Sequence, residues 1–532
     1  MNFINSFLSL KYNRLEPVLF WLLVIISLIP IWSVFAFITV DGQGHIYNGQ
    51  VLWTLATERD SYISAFTEIN SSLSPNWIAH PIIAILSPFL SPFNVEKIIV
   101  SLYVVLFVFS FRRFIHTFFS DQSWMSLSGF LFVWSSTVVN GFFNYNFGVA
   151  LLFLNLALLK KFTDQPGNKN AVVLGVGIIL LYFCHLIPFC VFGLVSIAFI
   201  VSKNISMQKE GQVPLLRNKS ALIKLGAAIF IPALLLSSHF ISMHSGRSGE
   251  SIVSENIGEK ILKLSGYNCI SDREWIYSRW FYFIIIPVSV ISIGLFMWKK
   301  TTSRSFQTTS TNFTLILSLI ALLACVYLLP NGTTLGGGML TVRLIYLTTT
   351  FFFVLLLFQI KQPLLQLVVL SPLFIVQIDK QSFIHGEYVK QQDFLKVVDR
   401  ARLTIEGKGL MYIADFNRKW PLAHATDALG YRNDVILTDT WFHKSFNPVL
   451  WKNHLPMTPE NMDWLDNEGK CNTSGLETSL QTKVRWYVVA GNPNIEKYDS
   501  IQWSHCSELL ESQYEKYFEA KDTLTIYHLK KY

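Results

Sequence analysis

Residues 17–40 read PVLFWLLVIISLIPIWSVFAFITV, and the chain continues at once with DGQGH at positions 41–45. This apolar run is long enough to cross a bilayer as a helix. It is too long for the apolar core of a cleaved signal, and it ends without a small-residue cleavage site. We therefore expect a membrane anchor that stays on the protein and delivers Asp41 and His45 to the membrane surface.

The rest of the chain repeats this apolar pattern. Of its 532 residues, 51% are hydrophobic and 15% are charged, whereas soluble domains are roughly a quarter charged. This composition excludes a disordered chain, a coiled coil and a disulfide-rich scaffold, and it argues against an ordinary soluble enzyme. With residues 17–40, further apolar runs predict about eleven transmembrane helices: 95–111, 124–140, 145–160, 171–184, 187–202, 220–240, 280–298, 312–330, 339–360 and 362–378.

The charge distribution sets the orientation of these spans. Residues 77–93 are short and are interrupted by three prolines, so we interpret them as an interfacial or re-entrant helix. With eleven spans and a cytoplasmic N-terminus, the inside loops then carry a net charge of +12 and the outside segments −3, as the positive-inside rule expects. Residues 1–379 hold a net +9 and residues 380–532 a net −1. The net positive charge of residues 1–379 therefore reflects the orientation of the spans in the membrane and does not indicate a nucleic-acid partner.

Residues 380–532 have the composition of a soluble domain, which by the span count lies outside the cytoplasm. Short strands are predicted at 410–414, 435–437, 484–490 and 523–529, and helices at 393–405 and 507–519. We predict an α/β domain here, following a membrane domain over 1–379. Cys471 and Cys506 could pair outside the cytoplasm, whereas Cys184, Cys190 and Cys325 lie in apolar runs as small hydrophobic residues.

Asp41 is the first candidate functional residue. A carboxylate at the boundary between apolar and polar surroundings is partly desolvated, so its basicity can be tuned. His45 lies one turn further on and would share a face with it. Residues 46–58 suit a helix lying on the membrane with Asn48 and Gln50 towards water. The alternative is that Asp41 only caps this helix.

Two further polar segments are predicted at the outer face. The turn NGFFNYN at 140–146 offers Asn140, Asn144 and Asn146, whose carboxamides suit sugar hydroxyls, although a capped helical hairpin would look the same. His80 lies in PNWIAHP, where a turn or interface residue is the simpler interpretation.

Arginines provide the candidate cations. Arg343 follows a glycine-rich outer loop and lies about one turn inside a span, where its forked guanidinium suits phosphate. The alternative is snorkelling to the headgroups. The loop 242–279 carries His244 and Arg247 and could close over a substrate, or it could be a solvated connector. The sequence contains no recognised motif for zinc binding (HExxH or paired CxxC), for nucleotide binding (P-loop or kinase motifs) or for a serine hydrolase (GxSxG).

These features together resemble the GT-C class of membrane glycosyltransferases. The class places an acidic residue just after the first span, as Asp41 is here. Its long first outer loop holds two juxtamembrane helices, here 46–58 and 77–93, and a His-Pro pair, here His80-Pro81, often opens the second. Many members also end in an outer soluble domain, here 380–532.

The resemblance implies an all-α polytopic membrane domain with a C-terminal α/β domain, in a bacterial inner membrane. It implies an inverting transfer of sugar from a polyprenyl-phosphate or diphosphate carrier to a glycan, lipid or protein acceptor. Asp41 would be the general base. Donor phosphate would contact Arg343, His80 and Arg247, and substrate would contact His45, Asn140, Asn144, Asn146 and His244. Many members carry a second acidic residue in the outer loop after span three. Residues 140–146 hold none, which argues against a divalent metal.

Three other functions fit parts of the pattern. A transporter or flippase of lipid-linked glycans would place polar groups at mid-bilayer and often shows internal repeats. A polymerase or ligase of surface glycans shares outer Arg and His residues but lacks the early Asp. A non-catalytic scaffold would only present the soluble domain to a partner.

Overall fold

In a computed structural model of the chain, the described residues are 2–58, 60–245, 252–265, 274–302, 310–333, 338–415, 422, 424–438, 448–452, 482–491, 507–508, 510–521 and 523–530. The described helices are α1 (Asn2–Trp32), α2 (Gly42–Thr57), α3 (Tyr62–Phe66), α4 (Ala79–Leu86), α5 (Pro92–Phe118), α6 (Gly129–Phe132), α7 (Ser136–Val139), α8 (Phe143–Asp164), α9 (Asn168–Cys184), α10 (Leu186–Lys209), α11 (Lys219–Ser245), α12 (Ile257–Ser265), α13 (Trp275–Thr302), α14 (Ser310–Leu328), α15 (Leu340–Gln359), α16 (Pro363–Lys390) and α17 (Gln392–Thr404).

The apolar runs of the sequence form long helices. Within the described part of the chain, eight helices have the length and composition of membrane spans: α1, α5, α8, α10, α11, α14, α15 and α16. Helices α9 and α13 provide shorter apolar stretches. The protein is therefore an integral, multi-pass membrane protein, as predicted. Helix α1 ends at Trp32, so residues 33–40 leave the helix before Asp41, earlier than the predicted end of the span.

The predicted span at 124–140 is not a continuous helix, which corrects the sequence analysis. A 3₁₀ turn at Ser123–Ser128 precedes the four-residue helices α6 and α7. Backbone that leaves the helix at membrane depth needs partners inside the protein. The Tyr103 hydroxyl donates to the Val133 carbonyl at 3.1 Å, and the Tyr346 hydroxyl donates to the Phe132 carbonyl at 2.8 Å. These buried hydroxyls make the break possible.

This broken segment nevertheless runs beside the apolar part of α1, residues 15–32. In the middle of α1, the Ser126 hydroxyl donates to Glu16 Oε1 at 2.7 Å. Beyond the end of α1, the Asp41 amide donates to the Asn140 carbonyl at 3.1 Å. The segment thus passes along the apolar length of α1, as a membrane crossing would. The number of crossings stays a prediction.

The two predicted helices of the first outer loop are present as α2 and α4. Helix α4 is far too short to span, which agrees with the interpretation of residues 77–93. Helix α2 does not lie on a membrane surface with its polar face in water, because Asn48 and Gln50 are both buried. The prediction was wrong on this point because α4, α5 and the C-terminal domain all pack against the helix.

The C-terminal domain is built on a mixed sheet. The described strands of the whole chain are β1 (Thr67–Ile69), β2 (Ile252–Val253), β3 (Gly332–Thr333), β4 (Gly409–Asp415), β5 (Val435–Leu437), β6 (Val449–Trp451), β7 (Val484–Ala490), β8 (Tyr514–Ala520) and β9 (Leu524–Leu529). Five of them form one sheet in the order β5-β4-β7-β9-β8, with β4 parallel to both of its neighbours and β9 antiparallel to both of its own. The α/β prediction is confirmed.

One predicted element of this domain is only partly right. A helix is predicted at 507–519, and the described residues from 507 to 513 are helical, but Tyr514–Ala520 form the edge strand β8, paired with β9. Tyr514 points inward and its hydroxyl donates to the Val484 carbonyl at 2.9 Å, whereas Glu515 and Lys516 are exposed. Charged side chains on an edge strand oppose pairing with other molecules, and they obscure the strand pattern in the sequence.

The C-terminal domain docks on the segment between α1 and α5, which is the predicted first outer loop. Strand β1 of that loop pairs with β6, and the Tyr47 hydroxyl of α2 donates to the Val435 carbonyl of β5 at 2.8 Å. The Tyr431 hydroxyl is 3.1 Å from the carbonyl oxygens of Ser87 and Leu90, after α4. The predicted boundary at 380 falls inside α16, which continues to Lys390. The domain and the loop therefore form one packed unit.

Candidate active site

Asp41 lies where the segment before α2 contacts the end of α7 and the turn after it. The amides of Val40 and Asp41 donate to the carbonyls of Val139 (3.0 Å) and Asn140 (3.1 Å). Gly141 has a φ of +81°, and a Cβ there would lie 2.6 Å from Thr39 Oγ1. Only glycine permits both this conformation and this approach. Asp41 is thus held in place through its backbone, and its side chain makes no capping bond to α2.

The buried carboxylate of Glu96 stabilises the backbone on both sides of Asp41. Glu96, near the start of α5, accepts hydrogen bonds from the Thr39 amide (2.6 Å), the Thr39 hydroxyl (2.7 Å) and Gln43 Nε2 (2.5 Å). A Cβ at Gly42 would lie 1.8 Å from Glu96 Oε1, so this position also needs glycine. Sequence reasoning missed this role. The available signal was an acidic residue inside an apolar run of spanning length.

We expect Glu96→Gln to destabilise the protein measurably. The amide would turn one acceptor oxygen into a donor facing the donors of Thr39 and Gln43, and a buried unsatisfied polar group costs about 1–3 kcal/mol. Thermal unfolding in detergent would show this as a lower melting temperature. Glu68→Gln is the matched control, because Glu68 is an exposed acid of the same loop. Equal melting temperatures for the two variants would contradict the role of Glu96.

Arg343 and Asp41 both contact the segment 140–146. Its Cζ is 4.3 Å from the ring centroid of Phe142 and 5.5 Å from that of Tyr145. Asp41 is close enough for its charge to act on the guanidinium. Arg343 Nε is buried and has no hydrogen-bond partner among the described residues. The arginine is therefore oriented by aromatic rings and retains a donor for an anionic ligand.

His45, His80 and Asn144 form a buried cluster. His45 Nδ1 is 3.2 Å from His80 Nε2, and Asn144 Oδ1 accepts from the Ala79 amide at 2.7 Å. Burial lowers the pKa of His80 to about 4, so this imidazole is neutral at physiological pH. The cluster ties α2, α4 and α8 together. A neutral, enclosed His80 does not fit the predicted cationic contact to phosphate.

The two other asparagines of the 140–146 turn also make structural contacts. Asn140 meets Asp41 through its backbone carbonyl. Asn146 is buried, where its Oδ1 accepts from the Thr137 hydroxyl at 2.7 Å and its Nδ2 donates to the Thr137 carbonyl at 3.1 Å. These contacts favour the capped-hairpin interpretation over sugar binding for Asn146. Arg247, Cys471, Cys506 and the side chain of His244 lie outside the described residues.

A histidine of the C-terminal domain completes the site. His424 Nε2 lies 4.0 Å from Asp41 Oδ1, and His424 Nδ1 lies 3.4 Å from Asp427 Oδ2. The side chains of Asp41 and His424 are each 25% exposed. Sequence reasoning missed His424, because only the docking of the domain brings it to Asp41.

The described residues do not form a recognisable metal site. Within them, no three His, Cys, Asp or Glu side chains converge as ligands of a metal ion would. The expectation that the reaction does not use a divalent metal stays a prediction from the sequence.

The membrane helices and the C-terminal sheet domain have the arrangement of the GT-C fold. The chain is similar to the arabinofuranosyltransferase AftD from mycobacteria, with a TM-score of 0.50 and 13% identity over 96% of this chain and 40% of AftD. It spans about 40% of the length of AftD, so this likeness shows the fold alone.

A second likeness is to ArnT from Cupriavidus metallidurans, with a TM-score of 0.43 and 12% identity over 98% of each chain. No protein-family model matches the sequence, and no curated protein matches it.

Proposed function

We propose that this protein is an inverting glycosyltransferase that moves a sugar from a polyprenyl-phosphate or diphosphate carrier to an acceptor hydroxyl at the outer face of the membrane. The observation that carries the proposal is the nearness of Asp41 and Arg343 at one end of the membrane helices. The Asp41 amide bonds to Asn140, and the Arg343 guanidinium lies over the ring of Phe142, two residues further on. A base beside a cation, at the depth of lipid headgroups, suits a donor whose tail lies in the bilayer and whose phosphate lies at its surface.

The proposed reaction is a single displacement. The Asp41 carboxylate takes the proton of the acceptor hydroxyl as that oxygen attacks the anomeric carbon of the donor. The new C–O bond forms on one face of the sugar while the bond to the carrier phosphate breaks on the other, and the phosphate leaves with the electron pair. The Arg343 guanidinium stabilises the negative charge of the leaving group. One such displacement inverts the anomeric configuration.

We also propose that the site and the C-terminal domain face the outside of a bacterial inner membrane. The positive charge of the opposite loops supports this orientation. The contact between β1 and β6 supports a shared side for the domain and the first outer loop.

The test is donor turnover by the full chain in lipid nanodiscs. AftD is an arabinofuranosyltransferase, so decaprenyl-phosphate arabinofuranose is the first donor to try, followed by decaprenyl-phosphate mannose, with envelope extract as acceptor. We expect release of decaprenyl phosphate and a product of inverted configuration by NMR. Release from neither donor, combined with movement of intact donor across proteoliposomes, would contradict the proposal and favour the transporter.

A further inference from the structure

The imidazole of His424 is placed between two carboxylates. It belongs to the C-terminal domain, directly before the 3₁₀ helix Ala425–Gly430, and it faces Asp41 with Nε2 and Asp427 with Nδ1. Asp427 is buried, and its Oδ1 has no hydrogen-bond partner among the described residues. The carboxylate of Asp427 is therefore turned towards His424 and away from solvent.

We propose that His424 takes part in the reaction through Asp41, by accepting the proton that Asp41 receives from the acceptor hydroxyl, and that Asp427 positions His424 for this. The inference rests on the proposed function. It makes the C-terminal domain part of the active site, and it gives a reason for the close docking of that domain on α2.

The geometry fixes which nitrogen can accept the proton. A neutral imidazole has one N–H and one lone pair. With Nδ1–H donating to Asp427 Oδ2, the lone pair is on Nε2, which faces Asp41 Oδ1 at 4.0 Å. This separation is longer than a hydrogen bond, and such contacts often shorten only when substrate is bound.

The proton path is balanced. The proton moves from the acceptor oxygen to the Asp41 carboxylate and then to His424 Nε2. The resulting imidazolium lies between Asp427 and Asp41, whose negative charges stabilise it. His424 is partly exposed, so the proton can pass to water before the next turnover.

The other charged groups around His424 fit this path. Within the described part of the chain, the charges of Arg343 and Asp41 also act on each other, and Arg343 stabilises the leaving phosphate in the proposed reaction. Asp415, at the end of β4, accepts from the Thr426 hydroxyl at 3.3 Å and adds negative charge near the segment that carries His424. The surroundings therefore favour a cationic intermediate at His424.

The test measures donor turnover by the His424→Ala variant. The donor is decaprenyl-phosphate arabinofuranose, or decaprenyl-phosphate mannose if the wild type uses only that one. We expect turnover to fall about 100-fold, the lower end of what general acid–base catalysis contributes, with the KM for donor unchanged. Imidazole added to the buffer should restore part of this turnover. It should have no effect on the wild type, on Asp41→Asn or on His528→Ala, which removes another partly buried histidine of the same domain.

The outcomes separate the two proposals. Wild-type turnover in His424→Ala, with Asp41→Asn inactive, would overturn the role of His424 alone. Full activity in Asp41→Asn would overturn the base on which both depend. A folded His424→Ala protein that imidazole does not rescue would assign the residue to packing. If the alanine variant fails to fold, His424→Gln replaces it. An active glutamine variant would also overturn the inference, because an amide cannot accept the proton.

Discussion

Replacing Asp41 with Asn is expected to abolish sugar transfer, with a fall in turnover of about 100-fold to 10,000-fold. The amide keeps the size of the side chain but cannot take a proton at neutral pH. The fold should not change, because the contacts that hold position 41 use the backbone: its amide donates to Asn140, and its carbonyl accepts from the amide of His45. Release of decaprenyl phosphate measures the loss, and the melting temperature in detergent checks the fold.

A matched control makes the result specific to the site. Asp60 is an exposed acid of the same outer loop, and Asp60→Asn should retain wild-type turnover. If Asp41→Asn and Asp60→Asn both turned over like the wild type, Asp41 would not be the base, and its role would be limited to the start of α2.

Replacing Arg343 with Ala should weaken donor binding about 10-fold to 150-fold, because a hydrogen bond to a charged group contributes about 1.5–3 kcal/mol. The local backbone should persist, since Tyr145 donates to the carbonyl of residue 343 and not to its side chain. The measurement is the dissociation constant of decaprenyl phosphate for the protein in nanodiscs. Arg343→Lys should lose less affinity, because it keeps the charge but not the forked donor geometry.

Arg279→Ala is the control for this measurement. Arg279 is an exposed arginine in the first turns of α13, and its removal should leave lipid affinity unchanged. Equal affinities for Arg343→Ala and the wild type would reassign Arg343 to structure, as a residue held by Phe142 and Tyr145.

The membrane helices could be predicted because apolar length is a local property of the sequence. The run at 171–184 corresponds to α9, and the run at 339–360 corresponds to α15. The break within 124–140 could not be predicted. Hydropathy measures apolar content, whereas the break depends on hydroxyl donors from Tyr103 and Tyr346, on other helices.

The candidate site was only half predictable for the same reason. Asp41 and Arg343 stand out because each is a charge at the end of an apolar run. The role of Glu96 was missed because its three hydrogen-bond donors belong to Thr39, before α2, and to Gln43, in the first turn of α2. His424 was hidden because it is far along the chain from Asp41 and reaches it only through packing of the C-terminal domain. Residues joined by tertiary contacts alone leave no pattern in one sequence.

An experimental map of the protein with decaprenyl phosphate bound would test the proposed site most directly. We expect phosphate density within hydrogen-bond distance of the Arg343 guanidinium, with the Asp41 carboxylate open to the space where the anomeric carbon of a donor would lie. A lipid headgroup bound elsewhere, with Asp41 closed off from both the lipid and the aqueous surface, would contradict it.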